Sequence, residues 1–389
     1  MHVAIDATSW ENERGFGRFT RSLVAALALR DSGIRYTLLF DRAPERPVPA
    51  NVDVVVAGAQ QTMSEASSGK GARGGADMLT LGRAARRIDS DVFFFPAVYS
   101  FYPVLSRVPK VVCFHDTIPE RFPDLIFPSR LNFRLWQAKI WLAKTMARRI
   151  MTVSNASAGD LTDILGIRPD RIDLTTEGAE DTFSPIIDKT RLAAIRDQFG
   201  IAPKDRVLTY IGGFNRHKNV LRLIEAMPAI VAACPEARLV IVGRTTGNRF
   251  WDNIDELKAG ASRDARLSDR ITFAGEIPDA DMAGLLNCSA ALVFPSLWEG
   301  FGLPALEAMS CGTPVLSSDR GSLPEIVGPG GLYYDPLSTE DLAARTVELL
   351  GDDALHKRLS DAALAQSRTF TWDKGAAMAE ASFRKAAKT

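Results

Sequence analysis

The chain is poor in cysteine, with 4 in 389 residues, and Cys113, Cys234, Cys288 and Cys311 lie scattered with no CxxC spacing. That pattern argues against a disulfide framework and against a structural zinc site. Three of the four sit in apolar surroundings, where a small buried thiol is ordinary, and a reducing cytoplasm is the expected setting. An excess of charge is also missing. The 47 Lys+Arg balance 47 Asp+Glu, so a general nucleic-acid binder is not expected. No apolar stretch approaches about 20 residues, which leaves no expected membrane span. The opening HVAID reads as a strand, not as a basic segment followed by an apolar run, so no signal peptide is expected. There is no solenoid-length repeat, and no DxD-like metal motif in a convincing loop.

What is present is ordinary for a soluble globular enzyme, with 46% hydrophobic and 24% charged residues. A chain of this length exceeds one ordinary core, so two domains are expected. Short apolar runs alternate with helical patterns almost from end to end, the signature of parallel sheets covered by helices. Strands are expected at 2–6, 36–41, 52–57, 92–96, 111–114, 150–154 and 172–176. A second set follows at 207–212, 238–242, 271–274, 291–295, 314–317 and 331–334. Most are continuous hydrophobic runs, as for strands buried on both faces. The polar stretch 177–185, EGAEDTFSP, marks the break between halves. The Gly-, Ser- and Ala-rich stretch 60–77 reads as mobile, and 43–51, with three prolines, as an extended connection. Two doubly wound halves facing each other create a cleft at the carboxyl ends of their strands.

Four segments carry the chemistry. In 294–314, FPSLWEGFGLPALEAMSCGTP, a buried strand ends at Pro295, a glycine-bearing loop follows, and a helix opens with Pro304 in a first-turn position. The free amides there suit an anion such as a phosphate, and Gly300 and Gly302 allow close approach of a ligand. Glu299 falls in the loop. Glu307 is placed in the first helical turn, where it either accepts ribose hydroxyls or complements the helix dipole. In 210–219, YIGGFNRHKN, a glycine pair precedes Arg216, His217 and Lys218. These either neutralise a leaving diphosphate or form a solvated basic turn. In 114–119, FHDTIP, a His-Asp pair at a strand end invites an acid–base reading beside the plainer one of a structural histidine. In 15–19, GFGRF, Gly15 and Gly17 head a helix. With Asp41 they also fit part of a dinucleotide fingerprint, although the turn starts late and Thr20 stands where a glycine or alanine belongs.

These segments resemble the retaining GT-B glycosyltransferases of family 4, in the mannosyltransferase-like branch, over nearly the whole chain. The resemblance implies an α/β, GT-B architecture of two Rossmann-like doubly wound domains facing a central cleft. Residues 1–183 form the acceptor-binding domain and 184–370 the nucleotide-sugar domain, with the helix 371–389, opened by FTWD, packed back on the first. The run from Glu299 to Glu307 is similar to the family's E-x7-E region. By that match Glu299 contacts the transferred sugar, the amides of Phe301, Gly302 and Leu303 meet sugar and diphosphate, and Glu307 holds the ribose. The turn from Gly213 to Lys218 is similar to one in which two cations grip the diphosphate. Lys218 matches well, and its partner is either Arg216 or His217. The FHDTIP segment resembles the family's HD-x-x-P element, which puts His115 near the donor sugar in a positioning role, with Asp116 as its structural partner. Gly15 and Gly17 match a turn that approaches the donor phosphates and the acceptor. FAGEI at 273–277 is similar to the element that lines the base through its backbone, at Glu276 and Ile277. TVSNAS at 152–157 is a further, weaker match.

The implied reaction is transfer of a hexosyl residue from a nucleoside diphosphate sugar to an acceptor hydroxyl, with retention. The expected acceptor is a glycan or lipid-linked glycan in cell-surface polysaccharide biosynthesis, and the first choice of donor is GDP-mannose. No pair of carboxylates is forced into the nucleophile and acid roles of a retaining glycosidase. Same-face displacement, with orientation and charge stabilisation from the protein, is therefore expected. No cofactor, metal or nucleic acid is expected. The rivals are an epimerase or phosphorylase on the same fold, an NAD(P)-binding oxidoreductase, and a catalytically silent sugar-binding protein. Finally, 129–150, SRLNFRLWQAKIWLAKTMARRI, carries six cations and no acid, interleaved with Phe133, Trp136, Ile140 and Trp141. It reads either as a plain cover helix or as a peripheral anchor on an anionic inner membrane face.

Overall fold

The computed structural model describes residues 1–12, 15–59, 74–244 and 253–388. Among the described residues, thirteen strands form where the hydrophobic runs place them, with ends within three residues of expectation. In the first sheet these are β1 (His2–Asp6), β2 (Arg35–Phe40), β3 (Asp53–Val56), β4 (Val92–Phe95), β5 (Lys110–Cys113), β6 (Ala147–Thr152) and β7 (Ile172–Leu174). In the second they are β8 (Arg206–Ile211), β9 (Ala237–Val242), β10 (Ile271–Gly275), β11 (Ala291–Phe294), β12 (Val315–Ser318) and β13 (Gly331–Tyr334). The sheet orders are β3-β2-β1-β4-β5-β6-β7 and β10-β9-β8-β11-β12-β13. Every pairing is parallel, with β11 against β8 in the register Ala291↔Leu208 and Leu292↔Thr209. Both sheets thus share the doubly wound order, and the chain reverses direction of growth between β1 and β4 and between β8 and β11.

Central strands are buried on both faces, as their unbroken apolar sequence requires: VFFF of β4 and ALVF of β11 are wholly inside. The edge strand β3 departs from this, with Val54 and Val56 exposed. The chain divides into two compact units, one of residues 1–177 with 371–389, the other of residues 178–370. The boundary therefore falls before Gly178, and Phe183 belongs to the second unit instead of the first.

The helix Trp372–Ala387 is capped by Thr371, whose side chain accepts from Lys374 N. It belongs to the first unit because its Ala376, Ala379, Phe383 and Ala386 form one buried stripe. Phe383 meets Phe94 at 5.0 Å, and full burial of such a ring stabilises by about 2–3 kcal/mol. At Gly375 a Cβ would lie 2.2 Å from Thr176 O, so only glycine allows this approach. Ser382 Oγ and Lys385 Nζ donate to Asp173 at 2.8 and 2.6 Å.

Two expectations need correction. The stretch 60–77 is not one loop, because the helix Gly75–Arg87 begins within it; 60–73 lie outside the described residues. The basic helix ends at Met146 (Arg130–Met146), and residues 147–152 are β6. Pairing of β6 with β5 and β7 outweighs the local helical pattern. Arg149 is thereby taken from the helix and forms a two-pronged bond to Asp173, at 2.7 Å for both contacts.

Candidate active site

In the second unit, the loops that leave β8 and β11 flank the point where strand order reverses, the place where open α/β sheets bind ligands. After β8 the chain passes through Gly212, at φ +154°. Tyr210 folds beneath its own loop and donates to Gly213 O at 2.6 Å. The next residues, Arg216–Lys218, form a 3-10 turn. Asn219 then adopts the left-handed conformation (φ 57°, ψ 29°), which asparagine tolerates better than most side chains. Its Nδ2 donates to Pro295 O at 3.1 Å and Pro336 O at 2.8 Å, binding the loops after β11 and β13 to this turn.

The loop after β11 is held from both sides. Leu297 N donates to His217 O at 2.8 Å. From the other side the buried Ser322 hydroxyl lies 3.1 Å from Glu299 O and 2.8 Å from Phe301 O, donating to one at a time. Gly321 (φ +60°) permits this, since a Cβ there would lie 2.9 Å from both N and O of Glu299. Gly302, at φ +100°, then starts the helix Leu303–Ser310 with Pro304 in its opening turn.

These constraints bring Lys218 and Glu299 together. Lys218 Nζ lies 2.7 and 2.9 Å from the two Glu299 oxygens and 6.0 Å from the Phe294 ring centroid. The Glu299 side chain is 8% exposed and that of Lys218 is 22% exposed. A charge-assisted contact so sheltered from water is stronger than a surface pair.

His217 is 7% exposed, and its buried Nδ1 has no partner among the described residues. Burial, and then the Lys218 cation, push its pKa down to about 4 against the opposing pull of Glu299. His217 is therefore neutral at pH 7, and the second cation of the turn is Arg216. That guanidinium points elsewhere in the structure, 3.0 Å from Glu256 of the helix Ile254–Ala261.

Glu307 requires a correction: it is the fifth residue of its helix, past the first turn, which holds no acid. It is only 1% exposed. Burial and then the Glu307 charge raise the Cys311 thiol, one turn on, to about 12. Phe301 is buried with its ring edge-on to Phe370 at 5.7 Å. Glu276 and Ile277 follow Gly275 (φ +75°) at the end of β10. Glu276 pairs with Arg244 at 3.1 Å, both side chains more than half exposed.

The remaining predicted residues lie in the first unit. Gly15 opens the helix Gly15–Leu29. A Cβ at Gly17 would fall 2.0 Å from Asn12 O, so this glycine has a packing reason independent of any phosphate. His115 follows β5. Its Nε2–H donates to Pro96 O at 2.8 Å, and its ring meets Phe19 edge-on at 4.5 Å. Burial opposes the imidazolium, but the neighbouring Cys113 sulfur and the Glu177 carboxylate outweigh it. Together they hold His115 well above its ordinary pKa. Asp116 accepts from Ile118 N at 2.9 Å, a turn-forming bond. The carboxylate facing the His115 ring is that of Glu177, from the polar stretch at the boundary between units.

The profile of the family described as Glycosyl transferases group 1 matches residues 193–366, and that described as Glycosyltransferase Family 4 matches residues 14–180. O-antigen chain mannosyltransferase B of Escherichia coli is 31% identical over 267 residues, covering 68% of this chain and 67% of that one. Serotype-specific mannosyltransferase WbdA of Escherichia coli is 27% identical over an alignment of 407 residues. It covers 97% of this chain, which spans only 47% of WbdA. Among solved structures, sucrose-phosphate synthase from Thermosynechococcus elongatus superposes with a TM-score of 0.77. That match covers 99% of this chain and 98% of the other at 19% identity, a likeness of fold.

Two parallel sheets of doubly wound order, each in its own unit, are the architecture of GT-B glycosyltransferases. The chain belongs to the group 1 glycosyltransferases, with a family 4 N-terminal half.

Proposed function

We propose that the protein transfers a mannosyl residue from GDP-mannose to a hydroxyl of a glycan or lipid-linked glycan during cell-surface polysaccharide biosynthesis, with retention of configuration. The observation that carries the reading is the sheltered contact of Lys218 with Glu299 where the sheet order reverses. A diphosphate entering there replaces one anionic partner of Lys218 with another. Glu299, released from the ammonium, then turns to the hydroxyls of the donor sugar. The amides of Phe301, Gly302 and Leu303 add donors to the leaving group, and Glu307 takes the ribose. Arg216 supplies the second cation after leaving Glu256, so the charge that grows on the diphosphate meets two fixed positive groups. These cations make turnover independent of a metal in this proposal, and chelation is expected to leave the rate unchanged. His115 takes no proton: Nε2–H is already committed to Pro96 O and Nδ1 faces a carboxylate. Its part is to present fixed charge and shape.

Mannose as the donor sugar is supported by two relatives named as mannosyltransferases. Incubation with a panel of nucleotide sugars tests it. Slow release of GDP from GDP-mannose, without release from UDP-glucose or UDP-N-acetylglucosamine, is the expected outcome. Release from a UDP-sugar alone overturns the choice of donor.

The proposal extends to the inner membrane face. In the helix Arg130–Met146, Ile140 and Ala143 face the core, while Leu131, Leu135 and Trp141 are 65%, 64% and 60% exposed, beside exposed Arg130 and Arg134. The exposed face of the helix therefore mixes large apolar side chains with cations, the composition of an interfacial helix. Lys139 does not serve that face: it donates to Tyr99 O and lies 5.8 Å from the Trp136 ring centroid.

A further inference from the structure

We propose that Glu177 is a positioning residue that keeps His115 doubly protonated, so that the family's histidine works in this chain as a fixed cation and never as a base. The argument begins with the two ring nitrogens. A carbonyl oxygen only accepts, so Nε2, 2.8 Å from Pro96 O, must carry a proton. Nδ1 lies 3.8 Å from Glu177 Oε1. A bare lone pair there would face a carboxylate across a gap almost closed to water, with the two side chains 11% and 7% exposed. A proton on Nδ1 converts that repulsion into attraction. Among the described residues the titratable groups acting on the ring are Cys113, at the end of β5 two residues before it, and Glu177. Of the two, Glu177 is the carboxylate whose oxygen faces Nδ1, at 3.8 Å.

The location of Glu177 is itself constrained. The close approach of Gly375 to Thr176 O fixes the backbone one residue away. Thr175 Oγ1 donates to Gly375 O at 3.1 Å, and Thr176 Oγ1 to Glu177 O at 3.2 Å. The returning helix Trp372–Ala387 thus sets where Glu177 stands, and Glu177 sets the charge on His115. His115 is fixed from its other sides as well, by the Phe19 ring and by Ser157 Oγ, which donates to His115 O at 3.0 Å.

The relevance to turnover rests on the donor-site reading of His115 given above; the charge assignment does not. The test is an NMR titration of the His115 Cε1–H signal, assigned with His115→Asn, in wild type, Glu177→Gln and Glu177→Asp. The midpoint of wild-type His115 is expected well above the ordinary imidazole value. In Glu177→Gln its midpoint should fall to 6.5 or below, and Glu177→Asp should restore most of the difference. A wild-type midpoint at or below 6.5, or the same midpoint in wild type and Glu177→Gln, overturns the proposal. Turnover separates the two readings. If His115 meets the donor, Glu177→Gln loses roughly tenfold or more in kcat at pH 8 and recovers it as the pH is lowered. A shifted midpoint with unchanged turnover upholds the role of Glu177 and removes His115 from the donor site.

Discussion

Lys218→Ala deletes a cation that the Glu299 carboxylate holds with both oxygens, at 2.7 and 2.9 Å. The backbone of Glu299 cannot follow, because Ser322 and Gly321 grip it from behind. The variant therefore keeps a carboxylate that is almost wholly buried, without its partner. Removing one member of a buried ion pair costs about 3–5 kcal/mol. Lys218 is 22% exposed, so water reaches part of the vacated space and the expected loss is nearer ~2–3 kcal/mol. For a domain of this size that lowers the unfolding midpoint of the second unit by roughly 4–12 °C. Turnover should fall about a hundred- to a thousandfold if Lys218 also stabilises the leaving diphosphate. Scanning calorimetry beside a coupled nucleotide-release assay reads both effects. Lys218→Ala/Glu299→Gln separates them: it should regain most of the stability, because a neutral carboxamide tolerates burial better, and none of the turnover. A Lys218→Ala protein that melts within about 1 °C of wild type would refute the reasoning about burial. Near-normal turnover would refute the role in leaving-group stabilisation.

Two other predictions concern pH and the membrane. The folded His217 has its pKa lowered to about 4, whereas an unfolded chain takes the proton near 6.5. The stability attached to neutral His217 is thus complete above about pH 6.5 and is lost as the pH falls through 4, about 3 kcal/mol in all. Denaturant unfolding of wild type against His217→Gln between pH 7 and 4 should show that difference close, and parallel curves would contradict it. In vesicle co-sedimentation, wild type should bind anionic vesicles at low salt and release at high salt, and Leu135→Ser/Trp141→Ser should bind at least tenfold more weakly. Equal binding by both proteins, or none by wild type, removes the helix Arg130–Met146 from any membrane role.

Much of this molecule is legible in its sequence because parallel strands buried on both faces leave unbroken apolar runs, and β4 and β11 are clear examples. The Glu299 loop and the Lys218 turn are legible for a related reason: close backbone approach demands glycine, and glycine pairs beside charges stand out. Three features are not legible, each because a distant contact decides it. Residues 147–149 continue a basic helical pattern, yet they open β6, which pairs between β5 and β7, and the Asp173 that accepts Arg149 lies well down the chain. Asn219 closes the YIGGFNRHKN segment with no role readable for it, and Ser322 carries no mark of function in sequence, but one binds three loops together and the other secures Glu299. Glu177 reads as part of a polar connection, and only the returning C-terminal helix and the fold of β5 bring it to His115.

The central claim, that the second unit holds the nucleotide through Glu307 and exchanges Glu299 for diphosphate at Lys218, is tested most directly by calorimetric titration with GDP. Wild type, Glu307→Ala and Glu299→Gln should separate into two classes. Glu307→Ala should bind at least tenfold more weakly, a loss of about 1.4 kcal/mol or more, because it removes the ribose acceptor. Glu299→Gln should bind GDP as tightly as wild type or more tightly, because Lys218 no longer has a competing carboxylate, while transfer falls sharply. Unchanged affinity in Glu307→Ala, or a loss in Glu299→Gln equal to that in Glu307→Ala, would contradict the account.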